Sequence, residues 1–224
     1  MDFIYTVFGF FAAGGWFMFP ILLVAAFATA ITIERYVTLT LVKAKNQNVW
    51  NQVQPLLAEG DFDKAREMTS KDKSAISQLL AVGLARQGAV RRREDIEIAM
   101  DESMIELTPQ LEKRTHYLAT FANLATLLGL LGTVSGLIHA FAAVATVNPA
   151  EKANLLSASI SEAMNCTAFG LMTAVPIVFI HALLQTKTTE LINSLETASV
   201  KFLNAITGRA PTRAQSRLEL AQAV

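Results

Sequence analysis

The chain has 224 residues, 52% of them apolar and 17% charged, with 19 Lys and Arg balancing 19 Asp and Glu. A water-soluble globular chain is usually about 45–50% apolar and about 25% charged, so these proportions describe a protein that is part membrane and part water-soluble. Zero net charge gives no ground for a nucleic-acid partner, and the one cysteine, Cys166, excludes an internal disulfide and a thiolate metal cluster.

A secretory signal begins with a basic region, whereas Asp2 is the sole charge before Glu34. Phe3, Tyr5, Phe8, Phe10 and Phe11, ahead of Gly14 and Gly15, instead predict an uncleaved aromatic helix at the membrane interface over residues 1–14. A helix needs roughly 20 mostly apolar residues to cross a hydrocarbon core. The first such stretch is residues 15–37, with nothing charged between Trp16 and Ile33.

Residues 38–115 are polar and helix-rich, without strand-like alternation. Asn48 to Ala58 reads as a short helix ended by Gly60, and Asp61 as the N-cap of a helix over Phe62 to Met68. Ser74 to Gln87 carries Ile76, Leu79, Leu80 and Leu84 at helical spacing, closed by Gly88. Arg91 to Leu107 places Ile96, Met100, Met104 and Leu107 on one stripe, and Pro109 predicts a kink or a very long bent helix beyond it. The Arg91-Arg92-Arg93 run suits a solvated helix start or a lipid headgroup contact.

A second span over residues 116–147 contains His139 in its apolar run, and a short loop at 148–154 leads to a third span over 155–186 that contains Glu162 and His181. Residues 187–207 continue as an amphipathic helix with Leu191, Leu195, Phe202 and Leu203 on its apolar face. The polar tail 208–224, with Pro211, is expected to be flexible. Lys and Arg are absent from Met1 to Gly15, and the Asn148–Asn154 loop has only Lys152; the others lie between Arg35 and Arg114 or from Lys187 onward. The positive-inside rule therefore places the N-terminus and the short loop outside, and the middle segment and tail in the cytoplasm. The expected fold is an all-α membrane protein, with three transmembrane helices whose long helices extend into a cytoplasmic helical domain.

Glu162 stands out on physical grounds. With the outer loop centred near Ala150, it lies about 12 residues in, or roughly 18 Å along a helix, close to the middle of the bilayer. A charged side chain there costs at least a few kcal/mol, so it should face protein or water, or carry a proton. Such a group can take and release protons; its structural alternative is a carboxylate neutralised by a fixed partner. His139 falls near the same level, as either a pathway residue or an interhelical hydrogen-bonding group.

Thr133 and Thr167 should share one depth, being equally far from Ala150 in opposite directions. Thr167 follows Glu162 by five residues, about 140° around the helix, so one helix face cannot present both. Either threonine can also simply bond its own i−4 carbonyl or join neighbouring helices. Gly129, Gly132 and Gly136 make a small-residue packing face, Pro176 is expected to kink the third span, and Cys166 is expected to fill space as a small apolar residue. No nucleotide loop, metal-ligand cluster or nucleophile–base pair is present in the sequence, so neither an enzyme nor a cofactor is expected.

Gly129-Leu130-Leu131-Gly132-Thr133-Val134-Ser135-Gly136, followed by Leu137 to Phe141, resembles the second span of the MotA/TolQ/ExbB proton-channel family. Ile160-Ser161-Glu162-Ala163, Thr167-Ala168-Phe169-Gly170-Leu171 and Ala174-Val175-Pro176 are similar to its third span. The resemblance implies a homopentamer in the bilayer of the bacterial inner membrane. Its pore would hold a pair of single-span subunits resembling ExbD or TolR, each with a membrane aspartate, and a TonB- or TolA-like transducer would carry work across the envelope.

Motif for motif, Glu162 stands where the family has its membrane carboxylate, and Thr133 and Thr167 where it has pore threonines. Met164-Asn165-Cys166 is more polar than the aliphatic residues similar proteins often carry. Flagellar stator subunits have an additional span and a larger cytoplasmic segment, so the TolQ/ExbB-like subgroup is the better match. A membrane scaffold without conduction and a small secondary transporter are the competing functions. The transporter lacks support, since three unequal spans show neither repeats nor paired broken helices.

Overall fold

The computed structural model describes the backbone of residues 15–87 and 92–222, and side chains as far as Gly208. The interfacial helix expected over residues 1–14, together with Gly88 and Arg91, lies outside the described residues. Among the described residues six helices follow in chain order: α1 Met18–Glu59, α2 Phe62–Lys71, α3 Ala75–Arg86, α4 Arg93–Glu112, α5 Thr115–Val144 and α6 Pro149–Gln222. Among the described residues there is no strand, and three helical stretches are long and apolar enough to cross a membrane. Less than a third of each apolar window is buried (28%, 17% and 22%), so most of this apolar surface needs lipid or neighbouring protein. The protein is an all-α integral membrane protein.

The helix limits differ from the expected ones where local chemistry is stronger than composition. The segment Asn48–Ala58 is the end of α1 rather than a separate helix. No glycine falls inside that 42-residue run, and its end comes at Gly60, whose φ of 77° lets the N–H groups of Gly60 and Asp61 both bond the Leu56 carbonyl at 2.9 Å. Pro109 sits inside α4 without ending it. The break falls at Lys113–Arg114, where Arg114 takes a left-handed φ of 66° and its guanidinium pairs with Glu34 at 2.5 Å.

The turn between α5 and α6 is shorter and earlier than the expected loop, because Pro149 can open a helix: its fixed φ suits the first turn and its missing N–H is not needed there. Glu151 in that turn adds a favourable charge and bonds back to Asn148 at 3.0 Å. The backbone of α6 is helical through Pro176 and on to Gln222.

Two compact units divide the chain. The first comprises the described residues up to Arg35 together with Arg114–Gln185. Met18, Ile21 and Cys166 form a buried cluster there, with Phe17, Leu128 and Phe169 packed against it. Cys166 is thus a small core residue, as expected.

The second unit comprises Tyr36–Lys113 with the chain from Thr186 onward and has an apolar core of its own. Asp61 accepts from the Lys64 N–H and caps α2, while the Ser74 hydroxyl caps α3 through the Ser77 N–H. Ile76, Leu79, Leu80 and Leu84 of α3 are buried, as are Ile96, Met100 and Leu107 of α4 and Leu191, Leu195, Phe202 and Leu203 of α6. Gly83 lets the layers meet: a Cβ there would fall 2.5 Å from the Phe202 ring and 2.9 Å from Met100 Sδ. Lys187 lies 3.9 Å above the Tyr36 ring, Lys43 pairs with Glu190 at 2.9 Å, and Arg93 donates to Asn204.

Candidate functional site

The α5–α6 hairpin in the first unit is held by residues too small to keep its backbones apart. A Cβ at Gly136 would lie 2.8 Å from that of Ala163, one at Gly132 would collide with Cys166, and one at Gly129 would meet the Gly170 and Thr167 Cα atoms at 3.3 Å. The midpoints of these pairs all fall between residues 148 and 150, so the helices run antiparallel in one register along this length. Gly129, Gly132 and Gly136 all lie where α5 approaches α6 most closely.

Gly170 completes that face and was not singled out from the sequence. A Cβ on it would lie 2.7 Å from the Ala125 carbonyl oxygen and 3.0 Å from the Gly129 Cα. Its signal was available: it lies seven residues after Ala163, on the same helical stripe.

Thr133 and Thr167 meet on this face, both half-buried. The Thr133 hydroxyl lies 3.2 Å from the Gly129 carbonyl oxygen of its own helix, and the Thr167 hydroxyl reaches the same oxygen across the hairpin at 2.7 Å. The two hydroxyls are also within hydrogen-bonding distance of each other. One carbonyl and two hydroxyls thus form a compact polar knot inside an apolar hairpin. Its geometry depends on Gly129, since a side chain there would press on the Thr167 Cα.

Glu162 belongs to a different face. It is exposed in the single chain and lines a cavity of about 500 Å³ together with Gly15, Trp16, Ser135, His139 and Ser159. The cavity floor is Gly132, Gly136, Ala163 and Cys166, the same small residues that hold the hairpin closed. His139 is exposed there as well.

The expected site residues therefore fall into two groups, Thr133 with Thr167 and Glu162 with His139. Pro176 lies farther along α6, where the helix is unbroken through it. Among the described residues, no group of three or more His, Cys, Asp and Glu side chains could hold a metal ion.

Residues 71–197 match the sequence profile of the MotA/TolQ/ExbB proton channel family. The chain belongs to that family. The matched residues run from the last residue of α2 through the α5–α6 hairpin, so both residue groups lie inside them. The Tol-Pal system protein TolQ of Haemophilus influenzae is 33% identical over 109 residues, which is 49% of this chain and 46% of that one. The putative biopolymer transport protein ExbB-like 1 of Synechocystis sp. is 30% identical over 171 residues, 74% of this chain and 65% of that one.

The chain thus spans about half to two thirds of the length of these relatives. The solved structure of C. jejuni MotAB shares the fold of this family member, with a TM-score of 0.62 at 17% identity over 93% of this chain and 84% of that one.

Proposed function

We propose that the chain is an ion-conducting subunit that uses the proton-motive force to move a partner complex across the cell envelope. The observation that carries this reading is Glu162: a carboxylate on an apolar helix, exposed in the single chain and lining a cavity with His139. A carboxylate at such a depth needs protein, water or a proton around it. An exposed one in an isolated subunit invites completion by other chains. Five copies around a pair of ExbD- or TolR-like helices would supply that environment, with the partner's aspartate as the proton carrier and Glu162 tuning the pore and proton access.

In this reading the spans are residues 15–37, 116–147 and 155–186, in the bacterial inner membrane, with the N-terminus and the α5–α6 turn periplasmic and the C-terminus cytoplasmic. A TonB- or TolA-like transducer would take up the motion. Each charge crossing 100 mV releases about 2.3 kcal/mol, so several ions per cycle suffice for a large mechanical stroke. His139, beside Glu162 in the cavity, would serve the same pathway.

The threonine knot favours a second role for part of the site. Both hydroxyls have partners within the hairpin, which supports Thr133 and Thr167 as the lock that fixes the two helices beside the pathway.

The test is Glu162→Gln in the native host, with the energised process measured beside recovery of the intact complex in mild detergent. An assembled, inactive complex is expected. An assembled and active one would make Glu162 structural and favour a non-conducting scaffold.

A further inference from the structure

We infer that Gly15 positions Glu162: the missing side chain of this residue creates the space in which the Glu162 carboxylate sits. Gly15 opens the turn that leads into α1, with a φ of 73°, a region that side-chain-bearing residues rarely adopt. Its carbonyl accepts from the Met18 N–H at 3.3 Å, and the Trp16 carbonyl from the Phe19 N–H at 3.2 Å, which seats the turn on the helix. Met18 and Ile21, a few residues on, are buried with Cys166, one helical turn from Glu162. The turn is therefore anchored to the same stretch of α6 that carries the carboxylate.

A Cβ built on Gly15 collides with Glu162 Oε1 and comes within 3.2 Å of its carboxyl carbon. Every one of its nearest neighbours belongs to Glu162. What would yield is the free end of a flexible side chain and not packed backbone, so a substituent at residue 15 moves the carboxylate and leaves the hairpin closed. Gly15, Trp16 and Glu162 line one cavity. The entry turn of α1 is a wall of the Glu162 chamber, and Gly15 is the point on that wall that touches the carboxylate.

The geometry is independent of what Glu162 does; its functional consequence rests on the ion-pathway reading. The readout is accordingly the rate at which a hydrophobic carbodiimide modifies residue 162, measured by mass spectrometry on the full chain assembled with its partners in native membranes. Gly15→Ala should change that rate several-fold. Gly15→Asn should do the same, because asparagine tolerates left-handed backbone while still carrying a Cβ.

In a Glu162→Asp background, where the carboxylate is withdrawn by one methylene, Gly15→Ala should leave the rate near that of Glu162→Asp alone. Backbone strain is the same in both backgrounds, so it cannot produce this difference. An unchanged rate in both Gly15 variants, or a change of equal size in the two backgrounds, overturns the inference. An active Glu162→Gln complex would sink the ion-pathway reading and leave this result standing.

Discussion

The Thr167 hydroxyl reaches the Gly129 carbonyl oxygen across the α5–α6 hairpin at 2.7 Å. Interhelical hydrogen bonds of this kind in membranes contribute about 0.6 kcal/mol on average and up to about 1.7. Thr167→Val keeps the shape and removes the donor, so it should destabilise the detergent-solubilised protein by about that amount, whereas Thr167→Ser should restore most of the loss. Thermal unfolding of the two variants checks this; equal stability of valine and serine variants would remove the lock. If the threonines also serve the pathway, Thr133→Val should assemble and lose activity. A fully active Thr133→Val complex would confine Thr133 to packing.

Glycines of α6 should differ in sensitivity according to what a Cβ would strike. Gly170→Ala meets the Ala125 carbonyl and the Gly129 backbone, which cannot move aside without parting the helices. The expected cost is about 1–3 kcal/mol, the usual range for overpacking. Gly208→Ala has nothing within 4 Å and should be tolerated. Thermal unfolding that ranked Gly208→Ala as the worse of the two would contradict the packing described here.

Arg114 holds a left-handed backbone between α4 and α5 and pairs with Glu34. A non-glycine residue in that conformation costs about 1–2 kcal/mol. Arg114→Ala keeps the strain and loses the pair, while Arg114→Gly relieves the strain. The glycine variant should therefore unfold at the higher temperature, although both lose the same ion pair. The reverse order would show that the side chain, not the backbone, dominates at this junction.

Acid should weaken the second unit through Asp72. Hydrogen bonding from Lys45, at 2.8 Å, holds the Asp72 carboxyl below its ordinary range; burial opposes this less strongly, and the Ser74 N–H adds a still smaller lowering effect. A carboxyl depressed in the folded state contributes stability above its unfolded-state pKa and loses it as the pH falls through the folded-state value. Asp72→Asn should therefore lower stability at neutral pH by up to about 1 kcal/mol, the scale of a partly exposed pair. The gap between variant and parent should close in acid below the usual carboxylate range. Melting curves across pH that kept a constant gap would assign the effect to packing.

Much of this architecture was legible in the sequence because its signals are local. Apolar length marked the three candidate spans, and helical spacing marked Ile76, Leu79, Leu80 and Leu84 as core. Asp61 announced its helix through a side chain that caps the next turn, whereas the Ser74 cap became visible only in the structure. Glu162 was conspicuous simply because a carboxylate in an apolar run is costly. Helix limits were less legible, since Pro109 sits within a helix and Arg114 ends one. A proline removes one hydrogen bond that a long helix can spare, and no local pattern forecasts a left-handed arginine.

The sequence by itself determined which residues are apolar, where helices can form and which polar groups lie among apolar neighbours. Only the tertiary structure decided which of those groups meet. It joined Thr133 to Thr167 through one carbonyl, set Glu162 with His139 on another face, and brought Gly15 against Glu162 from 147 positions away in the chain. Periodicity fixes the direction a side chain takes from its own helix. Which neighbour it finds there depends on how closely two backbones approach, and in this hairpin the approach is set by glycines whose partners are distant in sequence.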